Sequence, residues 1–167
     1  MNNSIQESPQ SKKHKVLENR FKWVPIAERK IKWGPMPPRK KEIRLPLLWL
    51  AGDGNELYLV NSSGETFDSV VAGSGGFQTI DDNAVSVSTD SSYKYQNIKP
   101  NDAVKVDEFD GFYDLDFHIQ ASLIVKSERI GHVVILTSPK KGGIGETVLL
   151  WDSMESGKNV LSISNYE

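Results

Sequence analysis

The sequence predicts an all-β protein: an antiparallel β-sandwich, of Greek-key (Ig-like) or jelly-roll-like type, preceded by a basic and mostly extended N-terminal arm. Three observations carry this reading. From Leu45 onward, short runs of Val, Ile, Leu, Thr and aromatics alternate with clusters of Gly, Asn, Asp, Ser and Pro. Strands separated by turn chemistry at regular spacing are the pattern of sandwiches and barrels. The segment 114–126 places Leu115, Phe117, Ile119, Ala121, Leu123 and Val125 on one face and Asp114, Asp116, His118, Gln120 and Ser122 on the other. That period of two suits a sheet with one buried and one wet face. No long stretch repeats at the helical period of 3.6.

Taken in order, the predicted strands are 45–50, 56–61, 66–71, 84–88, 92–98, 103–108, 114–126, 131–137, 146–151 and 159–163. The separators are Gly52-Asp53-Gly54-Asn55, Ser62-Ser63-Gly64, Gly73-Ser74-Gly75-Gly76, Asp81-Asp82-Asn83, Asp90-Ser91-Ser92, Lys99-Pro100-Asn101-Asp102 and Lys140-Lys141-Gly142-Gly143. Each is rich in residues that tolerate or favour turn geometry. The 114–126 segment exceeds the usual strand length of ~5–6 residues, so it is expected to bend or to pass between sheets through a bulge. His132–Thr137 and Thr147–Trp151 are nearly continuous apolar runs, expected in central strands covered on both faces.

Charge divides the chain. Residues 1–45 hold 12 Lys/Arg against 4 Asp/Glu, and residues 46–167 hold 8 against 18. A net charge of +8 therefore precedes one of −10. Such asymmetry often marks an interaction tail on a separate domain. The division expected is a disordered tail over 1–20, a basic Trp/Pro-rich arm over 21–44 and an acidic sandwich over 45–167. Absence of cysteine excludes disulfides, thiol nucleophiles and cysteine-ligated metals. No apolar run reaches the ~18 residues of a membrane-spanning helix, and the first residues lack signal-peptide character. A cytoplasmic location is the resulting expectation.

The arm carries a ten-residue block twice: Phe21-Lys22-Trp23-Val24-Pro25-Ile26-Ala27-Glu28-Arg29-Lys30, then Ile31-Lys32-Trp33-Gly34-Pro35-Met36-Pro37-Pro38-Arg39-Lys40. Lys-Trp, Pro and Arg-Lys recur at the same offsets. Rings, fixed positive charge and stiff backbone suit adhesion, so Lys22, Trp23, Pro25, Arg29, Lys30, Lys32, Trp33, Pro35, Arg39 and Lys40 are candidate binding residues. Cations beside Trp can meet phosphates while the ring stacks on a base or sits at a lipid interface. The Pro35-Met36-Pro37-Pro38-Arg39-Lys40 stretch also resembles a basic ligand of SH3-type grooves. Alternatively, Trp23 and Trp33 fill similar notches on the acidic domain, which a tether presents to them at high effective concentration.

A second candidate surface is the acidic aromatic turn: Asp107, Glu108, Phe109, Asp110, Tyr113, Asp114 and Asp116. Acids can steer a basic partner and rings can anchor it. Asp114, Asp116 and His118 are candidate metal ligands, but alternate residues on a strand spread them over ~13 Å, too far for one ion without help from another strand. Lys141-Gly142-Gly143-Ile144-Gly145-Glu146-Thr147 resembles the phosphate loop of deviant-Walker ParA-like ATPases. Glu146 stands where that family has its second lysine, and the β-prone Thr147–Trp151 follows where a helix must open. No nucleophile, base and orienting acid can be matched by spacing. The expected function is a non-catalytic protein-interaction module without cofactor, such as an inhibitor or immunity-like protein binding a basic partner. The alternatives are a nucleic-acid- or anionic-membrane-associated protein working through residues 12–44, and a β-sandwich hydrolase or metal enzyme.

Overall fold

The computed structural model describes residues 14–25, 28–29, 42–80, 83–109 and 118–166, with side chains for all of these except 74–92. Eleven strands are present among them: β1 (Val16–Glu18), β2 (Pro46–Asp53), β3 (Glu56–Asn61), β4 (Phe67–Ile80), β5 (Asn83–Ile98), β6 (Asp102–Glu108), β7 (His118–Ser127), β8 (Gly131–Thr137), β9 (Lys140–Lys141), β10 (Thr147–Trp151) and β11 (Val160–Asn165). They form two antiparallel sheets packed face to face. The first runs β1-β6-β3-β2-β10 and the second β11-β8-β7-β4-β5, with β9 also paired to β7.

Hairpins supply the local pairs and crossovers the rest. The β2–β3 turn is a two-residue Gly54-Asn55 loop between paired Asp53 and Glu56, and Gly54 takes a φ of 60° that suits glycine. β4 and β5 form a long hairpin in the second sheet, and β6 then returns to the first sheet beside β3. β7 crosses back beside β4, and β10 closes the first sheet against β2.

The core between the sheets takes Leu48, Leu50, Leu57, Leu59, Val104, Val106 and Leu149 from the first sheet. It meets Phe67, Val70, Ala72, Ala121, Leu123, Val125 and Ile135 from the second. Fully burying each of the Leu, Ile, Val and Phe side chains contributes roughly 1.5–3 kcal/mol, so this layer dominates stability. The alternation read from residues 114–126 holds where β7 is described: Ile119, Ala121, Leu123 and Val125 face inward.

Several expectations change. Val16–Glu18, within the tail expected to be disordered, pairs with Asp102–Val104 of β6. Gly73–Gly76 and Asp90–Ser92, read as separators, lie inside β4 and β5. Pairing with each other, and of β4 with β7, holds these weak strand formers extended; a register shift sits between Gly73 and Gly75. β7 stays in one sheet, in unbroken register with β4 and β8. β8 is covered on one face only, since His132, Val134 and Leu136 are half-buried on the other. β10 is an end strand, not a central one. Residues 114–117 lie outside the described set.

Candidate functional site

The first sheet is apolar on both faces. β2, β3 and β6 are buried almost throughout, because alternate residues supply two different cores. The inward set packs on the second sheet. The outward set, Trp49, Ala51, Tyr58, Val60 and Ala103, forms a separate buried cluster with Leu17, Phe21, Trp23 and Val148. An uncovered outer face of this composition would be a large exposed apolar patch. The arm covers it.

The path of the arm follows from its side chains. Leu17 of β1 stands opposite Ala103, at the edge of the sheet. Asn19 then adopts a φ of 50° and donates its N–H to the Asn101 carbonyl at 3.2 Å, turning the chain off the edge. Asparagine is among the few non-glycine residues that accept this left-handed region cheaply. Phe21 reaches Tyr58 at a ring separation of 5.5 Å and Trp49 at 6.4 Å. Trp23 meets Trp49 edge-on at 5.3 Å and Trp151 edge-on at 6.0 Å. Edge-to-face pairs contribute about 0.5–1.5 kcal/mol each beyond their burial. The Trp49 indole N–H donates to Ser62 Oγ at 3.0 Å, which satisfies its polar end.

Guanidinium groups cap this aromatic row. Arg29 lies 5.1 Å above the Trp23 ring, donates to Glu146 Oε1 at 2.6 Å and donates through Nε to the Val24 carbonyl at 2.9 Å. Arg44 lies 4.6 Å above the Trp151 ring and is held by Glu42 at 2.8 Å.

Beside the rings the face is charged. Glu56 accepts from Lys15 Nζ at 2.6 Å and from the Tyr58 hydroxyl at 2.6 Å. Lys105, almost fully buried on the same face, donates to Glu108 at 2.9 Å and approaches Glu56 at 3.8 Å. Arg20 stands 3.6 Å from Asp53. These groups border an open cleft of about 350 Å³ lined by Lys15, Arg20, Asp53, Glu56 and Tyr58, among others. The hydrogen bond from Lys15 holds the Glu56 carboxyl below its ordinary range, the Tyr58 hydroxyl adds to this, and burial opposes it. The same pairing raises Lys15, and burial followed by the Glu56 bond raises Tyr58.

A depressed carboxylate stabilises the fold above its unfolded pKa, and that stability is lost as pH falls through its folded value. Glu56→Gln should therefore lower the melting temperature by a constant amount at pH 5–8. The gap to wild type should shrink below about pH 4.5, the ordinary value from which Glu56 is depressed. Thermal melts between pH 3 and 7 check this; an equal gap at both ends contradicts it.

Of the candidate arm residues, Lys22 is exposed, and Trp23, Pro25 and Arg29 are half-buried. Lys30, Lys32, Trp33, Pro35, Arg39 and Lys40 lie outside the described residues. In the acidic turn, Asp107 is buried, Glu108 is exposed and ion-paired, and Phe109 packs against the inter-sheet core. Asp110, Tyr113, Asp114 and Asp116 lie outside the described set, and among the described residues no group of three His, Asp or Glu could hold a metal ion. The glycine-rich 141–147 segment leads into β10 rather than a helix, and its Glu146 clasps Arg29. Gly143, at a φ of 122°, lets the Phe109 ring approach to 3.1 Å from where a Cβ would stand.

Sequence reasoning did not single out Trp49, Tyr58, Trp151, Glu56 or Lys105. One signal was present: the uninterrupted run Pro46–Ala51 is longer than one buried face requires. Among the described residues no helix is long and apolar enough to cross a membrane. Comparison with known proteins gives no match to a family model, a curated sequence or a solved structure.

Proposed function

We propose that the protein is a non-catalytic interaction module whose acidic outer sheet face receives a basic, aromatic, extended segment of a protein partner. The observation that supports this is the seating of its own arm, Lys15 to Arg29, on that face. The face offers two slots for rings, between Trp49 and Tyr58 and between Trp49 and Trp151. Carboxylates meet the cations at Glu56, Asp53 and Glu146. A partner of this chemistry would compete with the arm, and the tether sets the affinity it must exceed. The same ion pairs engage three cations of the arm, which favours this reading over an arm held open for nucleic acid or an anionic membrane.

The test is a fluorescent peptide of residues 21–30 titrated into the full-length Trp23→Ala/Trp33→Ala chain, in which both self-blocks lack their anchor. Binding should appear, weaken with salt, and weaken about tenfold in a background that also carries Glu146→Gln, which removes the carboxylate that meets Arg29. Duplex DNA and phosphatidylserine vesicles should not displace the peptide. No binding at millimolar peptide would reject the reading, and displacement by either polyanion would favour the alternative.

A further inference from the structure

The chain carries one seat on the outer face and, in sequence, two copies of the block that occupies it. In the docked block, contact with the sheet is made by Phe21, Trp23 and Arg29, while Lys22 points to solvent. The second block repeats Lys-Trp, Pro and Arg-Lys in the same positions and keeps a large apolar residue, Ile31, where Phe21 stands. Its Gly34 replaces Val24, which is 44% exposed in the docked block, so the change removes little contact. Glu28, which becomes Pro38, is also exposed. The repeat keeps the Trp, Pro and Arg that stand half-buried in the docked block and an apolar residue at the Phe21 position, and its changes at Val24 and Glu28 fall on exposed positions.

We propose that the two blocks exchange on this face: Ile31–Lys40 can take the place of Phe21–Lys30 within the same chain, leaving the first block free for a partner. Connectivity permits it on both sides. Toward the N-terminus, the ten residues Phe21–Lys30 loop out between Arg20 and Ile31, so β1 stays paired; the closure entropy of such a loop grows only slowly with length. Toward the C-terminus, Arg39 must occupy the Arg29 position while Arg44 stays on Trp151. The Arg29 guanidinium is 5.1 Å from the Trp23 ring, that ring is 6.0 Å from Trp151, and Trp151 is 4.6 Å from the Arg44 guanidinium. Five residues span up to about 17 Å when extended, which is the backbone reach available between Arg39 and Arg44.

The exchange is biased. Ile31 cannot reproduce the ring contacts that Phe21 makes with Tyr58 and Trp49, so the first block is the preferred occupant. Either way the apolar face stays covered while one basic block is offered outward. A partner that binds a released block shifts the exchange by its differential affinity for the two arrangements.

The test is a double-mutant cycle on the full-length chain using Trp23→Ala, Trp33→Ala and both together. Trp33→Ala alone should move the melting temperature by less than about 1 °C. In the Trp23→Ala background, where the second block is the seated one, it should cost about 3 °C or more. Equal effects in the two backgrounds overturn the proposal. Concentration-dependent dimerisation of Trp23→Ala in sedimentation would also overturn it, by showing that the spare block seats on a second copy. Should the double variant fail to fold, Ile31→Phe decides the matter in 5-fluorotryptophan-labelled protein. The Trp23 resonance, assigned by its loss in Trp23→Phe, should lose intensity to a solvent-like position; an unmoved signal rejects exchange. The inference rests on the outer face being a seat for such segments. If the peptide of residues 21–30 binds the emptied face but the cycle is additive, only the exchange fails.

Discussion

Gly157→Ala should destabilise the protein by about 3 kcal/mol or more, with a fall in melting temperature of roughly 10 °C. Gly157 lies in the crossing from β10 to β11, pressed against the outer edge of β10. Its N–H donates to the Leu149 carbonyl at 3.1 Å, and its own carbonyl accepts from Val160 at 3.1 Å. Trp151 donates to Glu155 at 2.9 Å, and Leu150 bridges Ser156, so residues 155–157 lie antiparallel beside the end strand. A Cβ at Gly157 would stand 1.8 Å from the Val148 carbonyl oxygen. That obstacle is backbone in the middle of a paired strand, so no side-chain rotation relieves it. The segment must lift away, which breaks the bonds to Leu149 and Trp151 and opens the edge that carries half of the Trp23 seat. Urea unfolding with an unchanged midpoint would contradict this account.

Asn61→Leu should cost about 3–4 kcal/mol, although it keeps the branched side-chain shape and sits in an apolar strand. Asn61 is 1% exposed. Its amide nitrogen donates to the carbonyls of Glu65 at 2.7 Å, Ile98 at 3.1 Å and Lys99 at 3.2 Å. Its amide oxygen accepts from the Ser63 N–H at 3.1 Å and the Ser63 hydroxyl at 2.6 Å. One side chain thus ties the turn that leaves β3 to the turn that enters β6, which are two of the places where the chain changes sheets. Leucine would strand buried carbonyls and a buried N–H together, and leaving such groups without partners costs more than each bond is worth. Chemical denaturation of the variant measures the loss, and a change below 1 kcal/mol would show that water replaces the amide.

The legible parts of the fold are those in which one residue reports on its near neighbours. The alternation Ile119, Ala121, Leu123, Val125 identifies the buried face of β7 without further information. Gly54-Asn55 identifies its hairpin, because the loop needs a left-handed residue. The β4–β5 hairpin was divided wrongly for a physical reason. Gly73–Gly76 and Asp90–Ser92 have poor strand propensity, and cross-strand pairing overrides it. The site was harder still. Its acid–base pairs join residues distant in sequence, Lys15 with Glu56 and Arg29 with Glu146, and no local pattern encodes such a meeting. The repeated Lys-Trp-x-Pro block could be seen as adhesive, and the two opposed charges could be seen to attract. That Trp23 lies between Trp49 and Trp151 required the strand order, which brings β2 beside β10.

The position of the arm also sets an order of events during synthesis. Arg29 leaves the ribosome 117 residues before Glu146, which at about 5–20 residues per second is roughly 6 to 23 s. Trp49 and Tyr58 emerge early, so Phe21 meets its neighbours soon after translation of β3. The strand that pairs with β1 and the tryptophan that closes the far side of Trp23 arrive only with β6 and β10. For most of its synthesis the nascent chain therefore carries two basic aromatic blocks and an unfinished apolar face. The C-terminal third, though it lies far from the arm in sequence, completes the enclosure of Trp23.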